Sequence, residues 1–443
     1  MKRSNMEQLG RVILGMFLAS LFLLTPRVGT AENPGPQTTA NGEAEMLRLD
    51  DVVNQALARN PTVQAAQYAA EAERHKVPQA RTLPEPSVGI GWMGNITPFS
   101  TQAGDPSSYR SVSAMQTLPY PGKLRLRGEI ANKEADAAQT DMEAVRRRIA
   151  TAVKAAYYDY WYYDHALETT QKNKELLNQL AQIAEARYRV GKGIQQDVLK
   201  AQVEISMLLQ KQTVLEQQRA TAQAQLNALL GNAPETSLPP AAPVETAALT
   251  YTLDDLFKLA GRNDPEMQRM QQMTQRNQLA VDLVQLDYRP DLSVGYMYEQ
   301  RPAMPDMHGF TFTVNLPVFY KSRQREAIAQ ATDERISSER GRDAWHNQLY
   351  FELKEQYLAA KASDQLLKLF AQAVIPQSSL ALESSMSAYQ TGTADFATVL
   401  GNFTTIVRYQ TDYYREVADY QTALARMEAL AGVELTGGTG QAK

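Results

Sequence analysis

The residues of this chain that could do chemistry are few. Met304-Pro305-Asp306-Met307-His308 sets two thioethers and an imidazole close together. These are donors that soft ions such as copper or silver prefer. The segment sits between two strand-like stretches, where an ordinary loop of the same composition would also sit. Tyr157 to Tyr163, with Trp161, offers rings of the kind that stack on bases. A formal net charge of −4 argues against a polyanionic partner, so the run reads as packing between helices and no nucleic acid is expected. Asp164-His165 lacks a nucleophile nearby, and His75, His165, His308 and His346 stand apart from any catalytic spacing. The chain has 0 cysteines, which excludes disulfides, zinc thiolates and a cysteine nucleophile. No glycine-rich phosphate loop is present. No active site, cofactor or metal site follows from this inventory, and an enzyme is not expected.

What would position such residues begins with an export signal over residues 1–31. Lys2, Arg3 and Arg11 precede an apolar run from Val12 to Thr25. Its 14 residues span about 21 Å as a helix, short of the ~30 Å hydrocarbon core. Gly29 and Ala31 supply small residues for cleavage, and without an N-terminal cysteine no lipid anchor is expected. Losing residues 1–31 removes four basic residues against Glu7, taking the formal charge from −4 to about −7. Residues 32–45, rich in Pro, Thr, Gly and Glu, read as a flexible leader, and 436–443 as a disordered tail.

The remainder is written twice. Leu49-Asp50-Asp51 recurs as Leu253-Asp254-Asp255, Ser87-Val88-Gly89 as Ser293-Val294-Gly295, and Leu118-Pro119 as Leu316-Pro317. Tyr188, Gly191 and Val198-Leu199 recur 201 residues later as Tyr389, Gly392 and Val399-Leu400. The first repeat covers 46–230 and the second 252–435, joined by the proline-rich 231–251. Each opens with a helical stretch for which Asp50 or Asp51 is a plausible cap in the first copy.

Alternation then takes over. Strands are expected at about 87–93, 110–118, 291–299 and 309–316. Phe310, Phe312 and Val314 alternate with Thr311, Thr313 and Asn315, and the other three follow suit. One apolar and one small or polar face is the signature of a membrane barrel strand. Trp92, Phe99, Tyr109, Tyr296, Tyr298 and Phe310 suit its aromatic girdles. A soluble hairpin would show the same dyad; the export signal favours the barrel.

Between Gly122 and Tyr188 there is no proline and one glycine, Gly128, which permits a helix of about 67 residues and 100 Å. Beyond Gly191-Lys192-Gly193 a second helix carries Ala201, Leu208, Leu215, Ala222 and Leu229 at heptad spacing. The second copy repeats the hairpin, interrupted at Pro376. Tips fall at about 188–196 and 389–397, where Gly191, Gly193 and Gly392 allow left-handed turns. The fold class is thus α+β: four strands per protomer, long coiled-coil hairpins and a tandem duplication. Four strands cannot close a barrel in lipid, and three copies would give twelve strands around a water-filled pore. The product would be a conduit.

The duplicated strand–strand–hairpin unit resembles the TolC-like outer-membrane efflux proteins. Two motifs carry the resemblance. One is Ala186-Arg187-Tyr188-Arg189-Val190-Gly191 with Asp197-Val198-Leu199, echoed at Ala388-Tyr389-Gln390-Thr391-Gly392. The other is Leu118-Pro119-Tyr120-Pro121-Gly122-Lys123-Leu124, which looks most like the heavy-metal branch. The resemblance implies a homotrimer in the outer membrane with a helical tunnel in the periplasm. It also implies a periplasmic adaptor and an inner-membrane pump, of the RND type, as partners. Arg187, Tyr188, Gly191, Gly193, Tyr389 and Gly392 would be docking tips, with Arg189 and Lys192 offering further contacts. Relatives close the tunnel with acidic rings after the second tip. Here Thr398 and Gly401 stand at those positions, leaving Asp197 and Asp395 as the nearby carboxylates for a constriction. Drug-efflux and type I secretion ducts, or a non-conducting coiled-coil spacer or adhesin, are the alternatives left open.

Overall fold

The computed structural model describes residues 46–95, 100–246 and 248–435. The expected signal, leader and tail, together with Phe99, lie outside them. The first repeat comprises α1 (Leu49–Arg59), α2 (Pro61–Arg81), β1 (Ser87–Met93), β2 (Tyr109–Leu118), α3 (Lys123–Arg189) and α4 (Gln195–Leu230). The second comprises α5 (Leu253–Asn263), α6 (Pro265–Gln285), β3 (Asp291–Gln300), β4 (Met307–Asn315), α7 (Gln324–Leu369), α8 (Ile375–Thr391) and α9 (Phe396–Ala431).

The repeats start alike for the same local reasons. Pro61 and Pro265 occupy the first turns of α2 and α6, where their missing N–H costs nothing. Asn60 and Asp264 cap those helices, accepting from Thr62 N and Met267 N. Asp50 and Asp51 do not cap α1; the cap is Arg48, without a side-chain hydrogen bond. The two carboxylates instead lie in the first turn, where they face the positive end of the helix dipole.

The four strands form one antiparallel sheet in chain order, with β1 and β4 at its edges. Its register sorts the alternation. Val88, Ala114, Tyr296 and Phe310 lie in one cross-strand row, and Ile90, Val112, Tyr298 and His308 in another. All share one face with Leu118, Leu292, Val294, Phe312 and Val314. The other face carries Gly89, Ser113, Met297 and Gly309, and Gly91, Ser111 and Glu299. That face is also the better covered: Ser111 and Ser293 are buried while Ile90 is 87% exposed. Tyr109 departs from the girdle expectation, because it pairs with Met93 on the small-residue face. Among the described residues no helix is long and apolar enough to cross a membrane.

α3 runs 67 residues without a break, about 100 Å. The second long arm is one residue longer and comes in three pieces, α7, a π-helical turn at Phe370–Val374, and α8. Pro376 explains the piecing: it has no N–H to give and its ring would strike the carbonyl of the preceding turn, which a wider turn moves aside. α4 and α9 return over 36 residues each. The heptad of α4 buries Ala201, Leu208, Leu215 and Ala222, then gives way to Leu226 and Leu230, so Leu229 is only half-buried.

Two cores follow. The larger gathers α1, α3, α5, α7 and the ends of α4 and α9 around Tyr157, Tyr158, Tyr160 and Trp161. Tyr157 donates to Leu47 O and Ala242 O, and Tyr160 to Leu238 O and Pro239 O, clamping the inter-repeat segment to α3. The aromatic run is therefore packing and has no open face to stack bases. The smaller core lies towards the tips, with Leu177, Leu180 and Ala184 against Leu382, Tyr389, Phe396 and Phe403.

Candidate functional site at the hairpin tips

Both tips are built by one device. At the end of α3, Gly191 takes φ 72°, Lys192 N donates to Arg187 O (2.8 Å) and Gly191 N to Tyr188 O (3.0 Å). At the end of α8, Gly392 takes φ 88°, Thr393 N donates to Ala388 O (2.9 Å) and Gly392 N to Tyr389 O (3.1 Å). This crossed pair of bonds around a left-handed glycine is the Schellman cap. Gly193 serves a different need: a Cβ there would lie 3.1 Å from both Arg187 Cβ and Tyr188 N.

The tips touch through one cluster. The Arg187 guanidinium lies 4.6 Å from the centre of the Tyr389 ring and donates to Lys192 O at 3.1 Å. The Tyr389 hydroxyl donates to Asp197 Oδ2 at 3.2 Å, and its ring packs 5.4 Å from Phe396. Burial, then the Asp197 charge and the hydrogen bond to it, push the Tyr389 phenol up to about 12, with Arg187 pulling the other way. A cation over a ring and a phenol on a carboxylate make a latch between hairpins. Nothing in the cluster is a nucleophile poised for reaction.

Of the expected tip residues, the structure brings Arg187, Tyr389, Gly392 and Asp197 together. Tyr188 points away, 45% exposed, and Gly191 and Gly193 stay with their own turn. Asp395 caps α9, accepting from Thr398 N at 2.8 Å, and those hydrogen bonds with Lys200 nearby lower its carboxyl's pKa. Phe396 belongs to the cluster without having stood out in the sequence; its place at the first turn after Asp395 was the available signal.

In the Met304–His308 loop, His308 and Asp306 bond within their own hairpin. His308 Nδ1 lies 2.7 Å from the Tyr296 hydroxyl, and Asp306 accepts from Tyr298 (2.6 Å) and Arg301 N (3.3 Å). Among the described residues no three His, Cys, Asp or Glu side chains gather as metal ligands. The Leu118–Leu124 exit has a mechanical role that the sequence reading did not assign. Lys123, 5% exposed at its side chain, meets Asp291 at 3.0 Å and Asp287 at 3.1 Å, and Tyr120 N donates to Asp291 at 2.7 Å.

Residues 52–232 match the family model described as outer membrane efflux protein. The whole architecture recurs in solved channels. VceC from Vibrio cholerae superposes with a TM-score of 0.73 at 16% identity, over 87% of this chain and 96% of that one. The open state of the Neisseria gonorrhoeae MtrE channel gives 0.74 at 14% identity, over 88% and 90%. CusC gives 0.74 at 14% identity, over 86% and 91%. The chain shares the fold of these channels, and its residues 52–232 resemble the outer membrane efflux protein family. Among curated proteins the sequence has no match. The latch between Arg187, Tyr389 and Asp197 lies where the two hairpin tips meet.

Proposed function

We propose that three copies of this chain form an outer-membrane exit duct of a tripartite efflux system. One observation carries the reading. An open four-stranded sheet, with its apolar residues on the exposed face and its small and polar ones on the other, stands on helices about 100 Å long. Open edges in lipid leave backbone groups unsatisfied, so further strands must close the sheet. Purified protein reconstituted in a planar bilayer should conduct, at three times the protomer mass in detergent. A folded monomer without conductance would leave the spacer reading standing instead.

The helical ends would dock a periplasmic adaptor, with an inner-membrane pump of the RND type behind it. Support comes from the two Schellman tips at equivalent places of the duplication. Changing Gly191 and Gly392 to valine strains both, since a β-branched residue resists positive φ. Adaptor crosslinking should fall while assembly persists; unchanged crosslinking would reduce the tips to turns. Asp197 and Asp395 would frame the narrow end, Asp197 through its bond to Tyr389.

The cargo is proposed to be heavy-metal cations. Its support is the sequence of the Leu118–Leu124 exit alone. Deleting the gene should sensitise cells to copper, silver, zinc, cobalt or cadmium more than to dyes and antibiotics. Sensitivity confined to organic drugs, or loss of a secreted protein, would assign the duct to one of the alternative systems.

A further inference from the structure

The four segments that join strands to helices, 81–86, 119–127, 286–290 and 316–325, hold eight Lys or Arg against two acidic residues, Glu85 and Asp287. The loops at the other end of the sheet, 94–108 and 301–306, hold Arg301 against Asp105 and Asp306. The excess is written into the duplication. Lys123-Leu124-Arg125-Leu126-Arg127 recurs 198 residues later as Lys321-Ser322-Arg323-Gln324-Arg325. Both long helices thus open on cations, at the end where the helix dipole disfavours them. Folding of one chain makes little use of the charges. Lys123 is buried on Asp287 and Asp291, and Arg125, 67% exposed, reaches Glu129 one turn on. Among the described residues, Arg81, Arg127, Arg289, Arg323 and Arg325 form no ion pair, and all five are exposed. Gly128, the one glycine of α3, lets the Arg81 stem cross that helix, since a Cβ there would strike it.

Helix periodicity says which way two of these arginines face. Arg125 stands 18 residues before Glu143, five turns of α3, so the two share a stripe. Glu143 lines a cavity with Asp50 and Val53 of α1. Arg325 stands 25 residues before Tyr350, about seven turns of α7. The Tyr350 ring meets Phe257 of α5 at 4.7 Å. α1 and α5 form a second layer against the long helices. In a duct that layer lies outside, because inside it would fill the bore. Arg125 and Arg325 therefore face outward. Strand length sets their depth. β2 and β3 have 10 residues each and β4 has 9, the length with which a tilted strand crosses the hydrocarbon core. The segments that follow β2 and β4 emerge at the depth of the head groups. Val318 and Phe319, 65% and 72% exposed, precede the second cationic run. Apolar side chains followed by cations suit a boundary between acyl chains and head groups.

We propose that Arg125 and Arg325 form a collar that holds phospholipids of net negative charge in the leaflet on the helix side of the sheet. A phosphodiester accepts two parallel hydrogen bonds from one guanidinium, which selects arginine over lysine at the exposed positions of the repeated run. A zwitterionic head group brings its own ammonium and gains less from the excess of positive charge. The collar explains why both long helices open on cations against their own dipoles. This inference rests on the duct reading above and adds a lipid partner to it.

Trimer in detergent is offered equal amounts of phosphatidylglycerol and phosphatidylethanolamine with the same acyl chains, and bound lipid is counted by native mass spectrometry. Wild type should retain phosphatidylglycerol at least about five-fold over phosphatidylethanolamine, and excess inorganic phosphate should not displace it. Arg125→Gln combined with Arg325→Gln should cut that retention about ten-fold while trimer mass and conductance persist. Arg301→Gln, at the far end of the sheet, should change neither. Equal retention of both lipids by wild type overturns the collar and needs no variant. So does a preference that the double change leaves intact, or one that inorganic phosphate abolishes, which would mark a free-phosphate site. Each of these results leaves the duct standing, whereas a monomer that does not conduct overturns duct and collar together.

Discussion

Tyr188 and Tyr389 hold the same place in the duplication, yet one faces solvent and the other is 3% exposed. The difference lies in how far the buried stripe of each arm runs towards its tip. The last buried residues of α3 are Leu177, Leu180 and Ala184, and those of α8 are Leu382, Ser385 and Tyr389; Ser385 is the counterpart of Ala184, and the buried stripe of α8 runs one turn further, to its tyrosine. Tyr389 lies under Arg187 and against Asp197. Tyr389→Phe should cost about 1 kcal/mol at the tips, roughly a five-fold rise in amide exchange over the two turns. Its pH dependence has a definite sign. A phenol raised from 10.0 to about 12 contributes fully below pH 10 and loses its contribution as pH rises to about 12. The difference between wild type and Tyr389→Phe should close across that window. A difference that stays constant there would mean the hydroxyl is not what Asp197 holds.

At the scale of elements, what was legible in the sequence was whatever a repeating pattern enforces. Apolar residues at every second position announced the strands, and the register then placed Val88, Ile90, Val112, Tyr296 and Phe312 on one face. The lack of proline between Gly122 and Tyr188 left α3 nothing to stop it. What failed to show was set by contacts between distant segments. Lys123 finds Asp287 and Asp291 across the sheet-to-helix corner, 164 and 168 residues away, and no local spacing records that. Tyr109 alternates correctly with its neighbours, but the face it takes depends on its pairing with Met93. Of the tip residues, glycine conformation was readable from type, while Arg187 and Tyr389 meet across two hairpins, which no local spacing records. The face assignment has a direct test. Val112→Lys puts a charge on the apolar face and should cost about 2–4 kcal/mol if that face meets mid-bilayer lipid. Thr311→Lys, on the opposite face, should leave assembly nearly intact. Equal losses of oligomer in detergent would show that neither face is in lipid.

On the scale of the whole molecule, two repeats share one sheet, one equatorial core and one latch at the far end. Helix lengths agree between them: 36 residues in α4 and in α9, and matching long arms opposite. That agreement makes the molecule a ruler graduated four times. Losing seven residues would shorten one helix by about 10 Å. Taken from α3 alone, the loss would lift Arg187 away from Tyr389 and shear Leu177, Leu180 and Ala184 out of their packing with α9. Only a matched loss from α3, α4, the α7–α8 arm and α9 would keep the ends level. Such chains can therefore drift freely in side chains while inheriting changes of length only in sets, so that their reach, more than their sequence, is the trait held fixed.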